Sequence, residues 1–180
     1  MTELGSTERH LVLVGLMGAG KTTVGECCAE RLGRPFVDTD DIVAASTGHS
    51  VGEIFAVEGD RAFRAAERRA VDDACASPEP LVIASGGGAV LDAENRRVLR
   101  THGYVVWLDA PPDVLAERVQ AEVRDRPLLA TYGAPATLER LAVTRAASYE
   151  AAAHARVDTD GRSVDEVTDA VLEEFERCAA

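Results

Sequence analysis

No apolar run in this chain approaches the roughly 20 residues that a membrane-spanning helix needs, so a membrane protein is not expected. Met1 to Arg9 is polar and lacks an apolar signal segment, which makes a cytoplasmic location the expectation. Basic residues are in deficit, 19 against 31 acidic, for a net charge of −12. With no basic stripe to offset that charge, a nucleic-acid partner is excluded, and an anionic substrate would need arginines gathered locally. The 4 cysteines, Cys27, Cys28, Cys75 and Cys178, have no zinc-type pairing, and neighbours such as Cys27 and Cys28 rarely bridge. They read as buried or idle thiols. His10, His49, His102 and His154 are scattered without metal-ligand spacing, which leaves neither a zinc site nor a histidine base. Long linkers and internal repeats are also missing. A chain of 180 residues with 46% hydrophobic content buries one real core, so residues 1–180 read as a single domain, by default a monomer.

The scarcest residue is lysine. Lys21 is the only one, and arginine fills every other basic position. It lies in Gly15-Leu16-Met17-Gly18-Ala19-Gly20-Lys21-Thr22, which matches G-x-x-x-x-G-K-[ST]. Backbone N–H groups in such a loop wrap phosphate oxygens. The ammonium reaches the β- and γ-phosphates as a compact point charge, where a planar guanidinium would not fit. The hydroxyl of Thr22 would hold Mg²⁺. The flanks agree with this. His10 to Val14 reads as a buried parallel strand, and Thr22 to Leu32 as a helix ending at Gly33. A helix N-terminus at that point adds unpaired N–H donors and partial positive charge.

Further strands are expected at Pro35 to Val37, Leu81 to Ala84, Tyr104 to Leu108 and Arg156 to Asp158, with helical stretches over Asp41 to Cys75 and Thr137 to Ala153. Five strands separated by helices predict a parallel sheet covered on both faces. Ligands on such sheets sit beyond the carboxyl ends of the strands, which is where the informative residues fall.

Asp38-Thr39-Asp40-Asp41 follows the second strand. Asp38 is positioned to reach the Mg²⁺ shell and Asp40 to accept a proton from a substrate hydroxyl, while Asp40 or Asp41 also suits a helix cap. Ser85-Gly86-Gly87-Gly88 follows the third strand. These glycines imply either a tight turn with positive φ or a ligand pressed on bare backbone, with Gly87 offering an N–H. Arg61, Arg64 and Arg68 share a helical face with Glu67, the usual mark of a solvated salt-bridged surface. Arg124 to Gly133 lacks periodicity and reads as a flap whose Arg126 would bring positive charge over a transferring phosphate. Arg145 lies on a later helix, where exposure is the ordinary reading.

Taken together, GLMGAGKTT, DTDD, FRAAE at Phe63 to Glu67, GGGAV at Gly86 to Val90, RPLL at Arg126 to Leu129 and VDTDGR at Val157 to Arg162 resemble shikimate kinase over nearly the whole chain. The resemblance implies an α/β fold of nucleoside-monophosphate-kinase type, a three-layer α/β/α sandwich around a five-stranded parallel sheet. It would have a P-loop at 15–22, a substrate segment at about 38–67 and a mobile lid at about 122–134. It implies ATP and shikimate as substrates, one Mg²⁺ per subunit and phosphorylation of the 3-hydroxyl. Gly18, Ala19, Gly20, Lys21, Thr22, Thr23, Arg126 and Arg162 would contact ATP, with Thr22 and Asp38 toward the metal. Lys21, Asp40 and Arg126 would act in catalysis. Asp40 would also bind the substrate hydroxyls, alongside Gly87, and Arg64 and Arg145 would grip the carboxylate. Bidentate guanidinium forks suit a carboxylate, and phosphoryl transfer depends on positioning and charge neutralisation.

The family's usual adenine-platform arginine, counted seven residues back from Arg126, falls on Val119, with Arg118 just before it. Contact through Arg118 or apolar packing, with somewhat relaxed base selectivity, is the expectation. Two rivals remain: another small-molecule P-loop kinase of gluconate type, and a nucleotide-binding switch with no acceptor.

Overall fold

The computed structural model describes residues 9–123 and 135–178. Its centre is β1 (His10–Val14), buried at every position. It runs parallel between β3 (Val82–Ala84) and β4 (Gly103–Asp109), with Val12 opposite both Ile83 and Val105. β2 (Phe36–Asp38) and β5 (Ala155–Asp158) complete an all-parallel sheet in the order β2-β3-β1-β4-β5. The unbroken apolar character of β1 and β3 follows from this place, because a strand covered on both faces has no polar side.

The stretch Asp41 to Cys75 resolves into three helices, α2 (Thr39–Thr47), α3 (Val51–Val57) and α4 (Asp60–Cys75). With α1 (Lys21–Leu32), α5 (Ala93–His102), α6 (Pro112–Val123), α7 (Pro135–Ala152) and α8 (Val164–Arg177), they cover the sheet. α1 and α8 pack on each other in one layer, while α4, α5 and α7 associate on the other side. α8 shows how local sequence does this. Ser163 and Glu166 form a reciprocal capping box at its start, and Val167, Val171 and Phe175 recur every fourth residue to bury one stripe.

Beside the main core lies a smaller cluster of Val43, Ile54, Phe63 and Ala70 that ties α2, α3 and α4 together. It fixes these helices beside the carboxyl end of the sheet, where the loops after β1, β2 and β3 converge. Cys28, Cys75 and His10 are buried and play structural parts. Burial pushes the Cys28 and Cys75 thiols up to about 12, and all 4 cysteines are free. The buried His10 ring accepts the Leu81 N–H through Nδ1 at 3.0 Å, and burial lowers its pKa.

Candidate active site

The loop between β1 and α1 turns through Gly18 at φ 78° and Gly20 at φ 90°, where side chains are disfavoured. At Gly18 space excludes them as well, since a Cβ would lie 2.8 Å from the Leu115 carbonyl oxygen. The α1 N-terminus therefore opens onto a cleft lined by Gly18, Ala19, Gly20, Thr23, Arg118 and Arg162. Lys21, the next residue, donates from Nζ to the Leu16 carbonyl at 3.0 Å and lines a second cleft of about 600 Å³. The two clefts meet at Gly20 and Lys21.

Between β2 and α2, Asp38 is the helix cap, a role the sequence left to Asp40 or Asp41. Its Oδ1 accepts the Asp40 N–H at 3.0 Å, while its Oδ2 accepts from the Thr22 hydroxyl at 3.2 Å. Two hard oxygen donors at this separation fit adjacent corners of an Mg²⁺ octahedron, whose edge is about 3 Å for ligands at about 2.1 Å. Capping by Asp38 leaves the Asp40 carboxylate free to face the second cleft. Burial, reinforced by the charge of Asp38 and opposed by Lys21, raises its pKa to about 6.

Of the two reasons expected for the glycine run, the positive-φ turn does not hold. None of Gly86, Gly87 and Gly88 has positive φ. A Cβ at Gly86 would lie 2.6 Å from Oδ1 of Asp40 and 3.3 Å from Oε1 of Glu67, and one at Gly88 would lie 2.6 Å from Nη1 of Arg64. The Asp40 carboxylate and the tip of Arg64 press on Gly86 and Gly88, so a side chain at either would have to displace them, while Gly87 meets only ordinary contacts. Thr39, fully buried, accepts the Gly86 N–H at 2.9 Å and ties the run to α2.

Arg64 departs from the exposed reading. Its guanidinium lines the second cleft, donates to Glu67 Oε2 at 2.8 Å and lies 5.1 Å from the Phe63 ring centroid. Glu67 is 2% exposed, and its Oε1 has no partner among the described residues. Burial raises its pKa against the pull of Arg64. Arg61 and Arg68 do lie on the solvated side, with Arg68 paired to Asp92. Arg145, half-buried, reaches the same cleft from α7 and donates to the Gly87 carbonyl at 2.9 Å. One cleft thus gathers Lys21, Asp40, Arg64, Gly87 and Arg145. Arg126 and its flap lie outside the described residues.

A sequence model described as shikimate kinase matches residues 17–176. The chain belongs to the shikimate kinase family. The shikimate kinase of Symbiobacterium thermophilum is 48% identical over 168 residues, covering 93% of this chain and 96% of that one. The Dechloromonas aromatica shikimate kinase is 43% identical, covering 94% and 91%. Among solved structures, shikimate kinase from Acinetobacter baumannii in complex with shikimate superposes with a TM-score of 0.85 at 35% identity, covering 93% of each chain. A gluconokinase from Sinorhizobium meliloti, at 20% identity, a TM-score of 0.59 and coverage of 96% and 94%, shares the fold alone.

Within this shikimate kinase scaffold, of the two neighbours weighed in the sequence, Val119 and Arg118, it is Arg118 that faces the cleft beside the P-loop. Val119 is fully buried, with a methyl near Gly18. Arg118 lines the cleft, donating to the Gly18 carbonyl at 3.3 Å and to the Thr159 carbonyl at 2.7 Å. Helical phase decides which of two neighbours turns inward, and the spacing to a loop residue does not carry that phase. Arg162, lining the same cleft, donates to the Asp158 carbonyl at 3.2 Å and the Glu166 carbonyl at 2.7 Å. Sequence reasoning also missed Arg140, a further guanidinium at the second cleft, and Tyr149, which donates to the Gly87 carbonyl at 2.6 Å. For Tyr149, its place four residues after Arg145 on one helix was the available signal; the spacing of Arg140 gave none.

Proposed function

We propose that this protein transfers the γ-phosphoryl group of ATP to the 3-hydroxyl of shikimate, giving shikimate 3-phosphate and ADP in the route to aromatic amino acids. The observation that carries this reading is the convergence of the half-buried Asp40 carboxylate and two guanidiniums on one glycine run, beside the P-loop lysine. Arg64 and Arg145 take the acceptor's carboxylate, Arg64 held ready by Glu67. Asp40 accepts the proton of the attacking hydroxyl, and Gly87 offers its N–H to a neighbouring one. The P-loop N–H groups and Lys21 hold the β- and γ-phosphates. Thr22 and Asp38 are the residues suited to Mg²⁺, which when bound supplies charge neutralisation at the phosphates. Arg118 and Arg162 flank the nucleotide's base and ribose. Arg126 is assigned to the transferring phosphate. The acidic surface and small clefts fit a cytoplasmic monomer acting on small molecules, and no described helix is long and apolar enough to cross a membrane.

A coupled assay of ADP release tests the reading. Turnover that requires shikimate is the expected result. Turnover with gluconate instead would favour the gluconate-type rival, and ATP binding with no acceptor-stimulated turnover would favour the switch. In the same assay, Arg64→Ala should raise the KM for shikimate by about 10- to 100-fold, with a smaller change in kcat. The lost charge-assisted contacts serve ground and transition states alike. An unchanged KM would return Arg64 to the class of surface arginines.

A further inference from the structure

The Gly87 carbonyl oxygen receives two donors from one helix: Arg145 Nη1 at 2.9 Å and the Tyr149 hydroxyl at 2.6 Å. The two residues are one turn apart on α7. Their demands differ. Arg145 lines the acceptor cleft, and a guanidinium that grips a carboxylate must adjust to it. Tyr149 is 1% exposed, and its ring stacks on Trp107 of β4 at 5.5 Å with an interplanar angle of 18°. It cannot follow such an adjustment. Burial pushes its phenol up to about 12, so the hydroxyl remains a donor at every working pH.

We propose that Tyr149 is a positioning residue for the acceptor: its hydroxyl fixes the Gly87 carbonyl, and with it the backbone of the glycine run, while Arg145 turns from that carbonyl to the substrate carboxylate. The tie matters because the run is held from few sides. Thr39 holds the Gly86 N–H, the Ala89 N–H returns to the Gly86 carbonyl, and the intervening Gly87 peptide is held through its carbonyl alone among the described residues. Glycine backbone has no side chain to confine it. If the Gly87 carbonyl rotates, the neighbouring N–H groups that meet the acceptor's hydroxyls lose their aim, and Gly86 and Gly88 lose their fit against Asp40 and Arg64.

This inference rests on the functional reading above and is tested with it. Tyr149→Phe keeps the ring and its stacking and removes only the hydroxyl. Titration calorimetry and steady-state kinetics on the full chain should show shikimate affinity weakened and its KM raised about tenfold, with ATP affinity, ATP KM and kcat within about threefold of the unmodified protein. A purely packing role would damage both substrates or the melting temperature. Loss of both affinities alike, or an unchanged shikimate KM, overturns the proposal while unmodified turnover with shikimate stands. Absence of that turnover overturns the functional reading and this proposal together.

Discussion

Lys21→Ala should lower kcat by at least ~10²-fold, the loss falling on the chemical step because the ammonium meets charge that grows on the phosphoryl oxygens in the transition state. No second lysine exists to compensate. Lys21 is the first residue of α1, so its charge adds to the positive end of that helix at the point where the two clefts meet. Its Nζ bond to the Leu16 carbonyl at 3.0 Å holds the side chain folded back along the loop. Lys21→Arg separates charge from shape. It restores the formal charge but replaces a compact ammonium with a planar fork, and it should recover little of the loss. Steady-state kinetics with a thermal melt on both variants checks the expectation. Turnover within a few-fold of the unmodified protein, in either variant, would refute the role assigned to the ammonium.

The parts of the fold legible in sequence were those whose cause is local. β1 and β4 declare themselves as continuous apolar runs, and the P-loop declares itself because glycine spacing, a lone lysine and the strand-to-helix change all point to one loop. Strand order was not legible. The pairing of Val12 with Ile83 on one side and Val105 on the other joins segments about 70 and 90 residues away, and short strands such as β2 and β3, three residues each, carry no record of their neighbours. The same holds for the cluster around Phe63, which only tertiary packing assembles.

The candidate site divides along the same line. Residue types were readable where one chemistry admits one side chain, as at Lys21, Thr22 and Asp38. The glycine run was readable as unusual, but the crowding on it was not: the groups that a Cβ at Gly86 or Gly88 would have to displace come from α2 and α4, more than 18 residues away. Arg64 looked like a member of a solvated stripe because helical spacing cannot say which of Arg61, Arg64 and Arg68 turns toward a cleft. The choice between Arg118 and apolar packing at Val119 stayed open in the sequence for the same reason.

Asp40→Asn is expected to cost at least as much as the lysine change, and its pH profile carries the argument. Asparagine keeps the size, and the α2 cap survives, because Asp38 accepts from the backbone N–H of residue 40 and makes no use of its side chain. What disappears is the proton acceptor. In the unmodified protein the pKa of Asp40 is raised to about 6 by burial and the nearby Asp38, so the active carboxylate form is full above that value and is lost as pH falls through it. The kcat/KM for shikimate should therefore show an acidic limb near pH 6, where an exposed aspartate would place it near 4. In Asp40→Asn the residual rate, down at least ~10²-fold, should lack that limb, since the group that produced it no longer titrates. A limb that persists unchanged in the variant assigns the titration to another group, and full turnover removes Asp40 from the chemistry. A raised carboxylate suits this reaction. A base of pKa about 6 takes the proton of the attacking hydroxyl more readily than one of pKa 4 and is still almost wholly ionised at neutral pH, and the crowding at Gly86 is the structural cost of keeping it partly buried.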